Sequence, residues 1–488
     1  MHTTETIGVD DFLEETEKLL EVAHNNKEIQ RDSQAKLVLE KLLEFIDEID
    51  FRAYTKIQGD AKLKKNHFLV SIIEILIQTA HDNGFSLCRK YDLVYVYNSQ
   101  YWQVIERNEF EYFLGQVAQK MQMDRFTAKF HAFKSELYKQ FLADARLEEI
   151  TSYHKTTLIN LANGTFEISP FLQALRPYQK EDFLTYYLPF TFDEKAIAPQ
   201  FQKYIDRVLP EDELQDVLAE YLGYIFIKNN VLKLEKVLLA YGTGANGKSV
   251  LFEIIMALLG RENITNYSLQ SLTSENGYYR AMLSNKLLNY ASEINGKLET
   301  NIFKLLTSGE PVEARLPFGQ PHLISNYARF MFNCNELPEK VENNNAFFRR
   351  FLIIPFRVTI PRAEQDPDLA KRIIRSELSG VFNWMLMGLN RLLKNRDFTS
   401  SKIIQNEVLQ YQRESDTVLL FLDDVGYQTS ITMDTPFSNV FSEYRIFCIE
   451  SNYKLESKKA FSQRLKKLGY LIKRKSYGQA IFIEKKVF

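Results

Sequence analysis

Residues 237–249 read Val-Leu-Leu-Ala-Tyr-Gly-Thr-Gly-Ala-Asn-Gly-Lys-Ser. An apolar run from Val237 to Ala240 comes first. A loop with Gly242, Gly244 and Gly247 follows, and then a helical pattern through Val250, Leu251, Phe252, Ile254 and Ile255. Gly242, four residues, Gly247, Lys248 and Ser249 fit the phosphate-binding loop pattern, and the strand before and helix after supply its context. The residue types follow from chemistry. A triphosphate needs several backbone N–H donors converging on it, and glycine lets the backbone approach without a Cβ in the way. A helix starting near Lys248 turns the positive end of its dipole toward the anion. Thr243, Gly244, Ala245, Asn246 and Val250 complete the cradle. Lys248 is placed to reach the β- and γ-phosphates, and the Ser249 hydroxyl to ligate Mg2+. ATP and Mg2+ are therefore the expected cofactors.

Hydrolysis needs more than a cradle: a carboxylate and a polar group must stand near the γ-phosphate. The next strand-like run after the loop, 286–293, ends in Glu293. A carboxylate at the C-terminal edge of a parallel sheet can hold the Mg2+ shell or orient the attacking water. A surface glutamate after a strand is equally common. The run Phe330–Asn333 leads to Asn335, suited to hydrogen-bond water or γ-phosphate, though asparagine before Glu-Leu-Pro also forms turns. Arg349 and Arg350 precede the strand-like run 351–356; they are either surface charge or a finger for a neighbouring subunit's γ-phosphate. Glu293 and Asn335 follow Lys248 at intervals of 45 and 42 residues. Four apolar strands thus carry phosphate loop, acid, polar sensor and arginine in order. That layout predicts an α/β fold with an AAA+-like P-loop ATPase core on a parallel sheet.

The chain has 488 residues, too many for one core. The expected organisation is an N-terminal helical region (1–90) and an α+β domain (91–200). The ATPase core (201–365), a helical extension (366–425) and a winged helix-turn-helix (426–488) follow. The net charge of −2 excludes nothing about partners. Three dispersed cysteines point to a reducing compartment and exclude a cysteine-rich zinc site. The best apolar stretch, 68–80, contains Glu74 and is too short to span a bilayer, and the acidic N-terminus is no signal peptide. No membrane partner is expected. Leucines from Leu13 to Leu43 recur at helical spacing, 93–104 reads as a β-hairpin, and a turn is expected at Asn163-Gly164. One amphipathic helix is expected over 201–226, and a linker over 423–436.

From Lys454 onward eleven lysines and arginines face two glutamates, a net +9 over 35 residues. The pattern is helix (437–451), helix (457–468) and two strands (470–474 and 480–484), which predicts the winged helix-turn-helix. Lys458, Lys459, Arg464 and Lys467 on the second helix, and Lys473, Arg474 and Lys475 on the wing, are the expected DNA contacts. A protein-binding winged helix with a solvated basic face is the alternative.

Five segments together resemble the superfamily 3 helicases, in the phage and plasmid primase–helicase branch related to the poxvirus primase–helicase. They are 242–249, 291–293, 303–315, 332–338 and 348–356, and the similarity extends upstream through 160–168 and 175–190. The resemblance implies that Lys248 and Ser249 are the Walker A pair, Glu293 the Walker B acid and Asn335 the sensor. It makes Arg350 the preferred arginine finger, with Arg349 second. It also implies a hexameric ring, nucleotide between neighbouring subunits, and 3′-to-5′ translocation on single-stranded or forked DNA in a bacterial cytoplasm. Residues 304–322 match the family's channel hairpin. The tip, 317–321, lacks the usual lysine, so Arg315, Phe318 and His322 are the nearest substitutes. No paired-aspartate strand of a primase is visible, so a separate primase is the expected partner. The competing expectations are an origin-melting or DNA-remodelling ATPase, and a DNA-binding regulator in which ATP controls assembly.

Overall fold

The computed structural model describes residues 35–57, 59, 61–90, 93–145, 156–292, 294, 298–315, 320–338, 341 and 344–485. The chain divides into two units, Met1–Phe192 and Asp193–Phe488. The helical pattern expected before residue 35 lies outside the described residues.

In the first unit the helix Lys65–Asp82 buries Ile72, Ile73, Leu76 and Ala80 along one stripe. They share a core with Phe110, Leu114 and Val117 of helix Arg107–Lys120 and with Phe133, Leu137 and Phe141 of helix His131–Asp144. Strands β1 (Ser86–Lys90), β2 (Leu93–Tyr97) and β3 (Trp102–Ile105) form an antiparallel meander. The domain boundary expected at residue 90 falls inside the β1–β2 hairpin, where Lys90 opposes Leu93. Val94 and Val96 bury into the helical core, so the helices and the hairpin are one body. A second antiparallel sheet holds β4 (Thr157–Leu161), β5 (Gly164–Ile168) and β6 (Gln173–Arg176), with the turn at Asn163 as expected. Buried Asn160 ties it together: its Nδ2 donates to the Gln100 and Tyr186 carbonyls, and its Oδ1 accepts from Thr165 Oγ1.

The second unit opens with helices Pro199–Val208 and Asp212–Tyr224, where the sequence pattern predicts one helix. The break lies at Leu209-Pro210, because the residue before proline is pushed out of the α region. Helix Leu378–Asn395 lies directly on Asp212–Tyr224. A Cβ on Gly388 would stand 2.4 Å from the Ala219 carbonyl carbon, so only glycine permits the approach. Buried Glu220 accepts from Arg391 Nε at 2.5 Å and from Thr399 N at 2.8 Å. That satisfies a carboxylate taken out of water.

The central sheet contains β7 (Val237–Tyr241), β8 (Ile264–Thr265), β9 (Leu288–Ala291), β12 (Arg329–Cys334) and β13 (Phe351–Pro355). Among the described residues its order is β13-β7-β12-β9-β8, and every pairing is parallel. Such a sheet is covered on both faces, which is why its strands read as continuous apolar runs. The two-residue β8 was not legible as a strand. Between β9 and β12 the chain forms the antiparallel pair β10 (Val312–Ala314) and β11 (His322–Ile324).

The C-terminal segment holds helices Thr417–Val425, Phe437–Glu450 and Lys458–Lys467. Its strands are β14 (Tyr427–Thr429), β15 (Thr435–Pro436), β16 (Ile472–Lys475), β17 (Gly478–Ile481) and β18 (Ile483–Lys485). Val418, Phe421 and Leu422 sit in the same core as Val440, Tyr444, Phe461 and Ile481. The segment therefore begins near Asp416 rather than at 426. The expected linker supplies two of its strands, β14 against β18 and β15 against β17. No helix among the described residues is long and apolar enough to cross a membrane.

Candidate nucleotide-binding site

The glycine-rich loop leaves β7 at Tyr241 and is held by the strands on both sides. Gly242 N donates to the Cys334 carbonyl of β12 at 3.1 Å, and Phe356 N, just past β13, donates to the Tyr241 carbonyl at 2.6 Å. Asn246 Nδ2 reaches the Phe356 carbonyl at 3.2 Å, and Ile360 N reaches the Ala245 carbonyl at 2.7 Å. Gly247 has φ +87°, and a Cβ there would stand 2.7 Å from Val208 Cγ1. Tyr204 Oη donates to the Gly247 carbonyl at 2.8 Å. Tyr204 and Ile360 thus shape the loop, although neither belongs to a sequence motif.

Lys248 is buried at the start of helix Lys248–Leu259. Its Nζ donates to Gly242 O at 2.5 Å, Asn246 Oδ1 at 3.1 Å and Asn335 Oδ1 at 3.3 Å. Desolvation lowers its pKa below the ordinary lysine value. All three acceptors are neutral, so among the described residues the hydrogen bonds of this buried cation at the head of the glycine cradle go to dipoles. Its neighbour Cys334 offers no charge either, because burial pushes the thiol up to about 12. An anion entering the loop would supply the missing counter-charge. Donor set and cradle therefore fit a phosphate chain. Ser249, Thr243 and Ala245 are exposed at the loop, which leaves the Ser249 hydroxyl open to a Mg2+ ion.

Asn335 directly follows β12, and parallel pairing with β7 brings it to Lys248 across 87 residues of sequence. Glu293 lies outside the described residues; β9, two residues before it, pairs with β12 through Ala291 opposite Phe332.

The two arginines stand at the other end of the sheet. Phe351 of β13 opposes Val237, the first residue of β7, while Pro355 opposes Tyr241 beside the loop. Four strand steps of about 3.3 Å separate these ends by roughly 13 Å. Arg350 is buried, with its side chain 8% exposed. Its Nε donates to Thr307 Oγ1 at 2.9 Å, and its Nη2 donates to Ser308 Oγ at 3.1 Å and Glu235 Oε2 at 3.2 Å. A further bond goes to the Ala346 carbonyl. Arg349 shares the Glu235 carboxylate at 3.1 Å, yet its side chain is 59% exposed. Lys236 Nζ donates to the Arg349 carbonyl at 2.6 Å. Sequence reading did not single out Glu235, since one glutamate before a strand carries no signal.

Of the three hairpin residues, Arg315 lies over the Tyr278 ring at 5.2 Å and donates to the Asn276 carbonyl. His322 is exposed in β11. Phe318 lies outside the described residues. On the C-terminal basic surface Lys458, Lys459, Lys467, Lys473, Arg474 and Lys475 are exposed. Arg464 instead bridges to buried Asp416, which also caps helix Thr417–Val425, and Lys475 pairs with Asp434. These internal bridges distinguish Arg464 and Lys475 from the other cations of that surface.

Three family models match successive parts of the chain. They are the D5 N terminal like family over 74–210, a family of unknown function (DUF5906) over 240–350, and the poxvirus D5 protein-like family over 413–486. The chain is 18% identical over 303 residues to a protein of Acanthamoeba polyphaga mimivirus that is designated a helicase. That alignment covers 55% of this chain and only 30% of the viral protein. Apo structures of the NrS-1 C-terminal region align with 86% and 87% of this chain and the whole of theirs. The TM-scores are 0.47 and 0.45, at 10% and 11% identity. A likeness of that size carries no functional inference.

Proposed function

Because the chain belongs to the phage-type primase–helicase family, we propose that it is an ATP-driven DNA helicase that serves replication of a phage, plasmid or integrated element. One observation carries this reading: Lys248 Nζ and Asn335 Oδ1 meet at 3.3 Å at the head of the glycine-rich loop. A phosphate-binding cation and a polar sensor occupy one spot, as nucleotide hydrolysis requires. Loop N–H groups and Lys248 would hold the triphosphate. Ser249, with Glu293, would hold Mg2+, which when bound neutralises charge developing on the phosphate oxygens. Asn335, freed from Lys248 when phosphate oxygens take over that lysine, is positioned to orient the attacking water.

The arginine pair extends the reading to more than one copy. Neither guanidinium reaches its own loop from the far end of the sheet, so a contact of Arg349 or Arg350 to a γ-phosphate has to be made to a second chain's nucleotide. Arg350 matches the family's finger position, but in this chain four of its five N–H donors are spent on Thr307, Ser308, Ala346 and Glu235. Arg349 is the exposed member, and we assign it the outward role. A ring of copies, 3′-to-5′ travel and a separate primase are the corresponding expectations from the family. The C-terminal helices and strands fit a winged helix whose exposed lysines lie on DNA phosphates.

A second reading, a DNA-remodelling ATPase without processive unwinding, is favoured by the hairpin. Its tip carries no lysine, and Arg315 is engaged with Tyr278. One experiment separates the two. ATP hydrolysis and forked-duplex unwinding are measured on the wild type and on Lys248→Ala. The helicase reading expects both activities in the wild type and neither in the variant. Hydrolysis without strand separation selects the remodeller. Turnover undiminished in Lys248→Ala removes the nucleotide site.

A further inference from the structure

The first unit carries a surface that the motor does not use. Helix Arg125–Lys129 packs through Ala128, which is buried; a Cβ on Gly115 of the neighbouring helix would stand 3.0 Å from the Ala128 carbonyl oxygen. Phe126 lies two residues before Ala128, so at 100° per residue it projects away from that contact, and Phe130 directly follows the helix. They are 84% and 55% exposed. Phe130 is the extended joint between two helices, and its N–H and carbonyl are bonded to Thr127 O and Lys134 N. That bonding fixes the backbone from which its ring projects. His131 adds a second ring edge-on, 4.7 Å between centroids.

Cations interleave with these rings. Arg125 and Lys129 are exposed, with no ion pair among the described residues. Residues 120–134 contain four lysines and arginines against one acid, Asp124. That acid is occupied: it caps the helix through Thr127 N and Thr127 Oγ1, both at 2.9 Å.

We propose that the face formed by Arg125, Phe126, Lys129 and Phe130 binds single-stranded nucleic acid, with unpaired bases on the phenylalanine rings and phosphates on the two cations. Exposed flat rings suit bases, which all present a π-face. The surplus positive charge suits a phosphate backbone and opposes a basic protein partner. A duplex hides its base faces, and a five-residue helix offers no stripe for a membrane, so unpaired strands are the fitting ligand.

The test uses the full chain and short oligo(dT) and oligo(U), followed by fluorescence anisotropy without nucleotide. The double variant Phe126→Leu/Phe130→Leu keeps apolar bulk and removes stacking. Affinity for both oligonucleotides should fall about tenfold or more. Arg125→Gln/Lys129→Gln should flatten the log–log salt dependence by roughly 1.4, about 0.7 per phosphate contact. Photocrosslinking of the wild type with 5-iodouracil oligonucleotides should label Phe126 or Phe130. The proposal is overturned if the leucine variant binds as tightly as wild type, or if every crosslink maps outside 107–144. Either result leaves the ATPase assignment standing, since Lys248→Ala tests that separately.

Discussion

Lys248 shows what burial does to a charge that has a task. Taken out of water and bonded to three neutral oxygens, its ammonium loses part of the stabilisation that water gives, and its pKa falls. In the proposed site the charged form is the one that would hold phosphate, so ATP affinity should decline with rising pH before the ordinary lysine range near 10.5 is reached. The sign for folding is the opposite. Between the lowered native value and 10.5 the unfolded state holds more protons, so stability rises with pH there. Titrating ATP affinity between neutral pH and pH 10 checks this; Lys248→Arg, which stays charged, should show no such decline. The arginine pair is decided at the same scale. Arg349→Ala should keep ATP binding and lose about a thousandfold in turnover if it serves a second copy. Mixing it with Lys248→Ala chains should restore hydrolysis, because each supplies what the other lacks. Arg350→Ala should instead lower the stability by on the order of 3 kcal/mol, read as a lower melting transition, since it takes the arginine donor from buried Ser308, one of two partners from Thr307 Oγ1 and one of three cations from Glu235. Full activity in Arg349→Ala beside a stable, inactive Arg350→Ala would return the finger to Arg350.

The elements explain why the loop has its shape. β7 is an interior strand of the parallel sheet, between β13 and β12, and buried along four residues, so the chain emerges from it at a fixed place and direction. β12 and the turn after β13 then grip the loop through Cys334, Phe356 and Ile360. Gly247 must adopt positive φ against Val208 and Tyr204. Gly247→Ala should therefore cost about 1–3 kcal/mol in strain and overlap and weaken ATP binding sharply. A calorimetric titration that finds wild-type affinity in this variant would show that the loop has slack which the packing does not suggest. Helix Thr300–Ser308 leads into β10 and receives the buried Arg350 at its C-terminal end. The hairpin and the arginine pair are thus mechanically adjacent.

Over the whole molecule, the division at Phe192 separates two bodies with their own cores. Every described residue of the candidate nucleotide site lies after that point. A chain beginning at Asp193 should fold, bind ATP and lose binding on Lys248→Ala; failure to fold would mean that the first unit is needed to complete the second. Were the Phe126 surface a nucleic-acid site, the same truncation would remove it while sparing nucleotide binding.

The amino-acid sequence alone specified the local chemistry. The loop at Gly242–Ser249, the apolar strands around it, the turn at Asn163 and the basic C-terminal helix and strands were all legible, because each depends on neighbours within a few residues. Only the tertiary structure put Asn335 on Lys248, since that meeting requires two strands 87 residues apart to lie side by side. It likewise decided that Arg350 is buried while Arg349 faces solvent. Adjacent residues share composition and spacing, but backbone direction at the start of β13 sends one inward to Thr307 and the other out. Glu235, Tyr204, β8 and the extra strands at 427–436 were invisible for the same reason: their roles rest on long-range packing partners, which no short window of sequence contains.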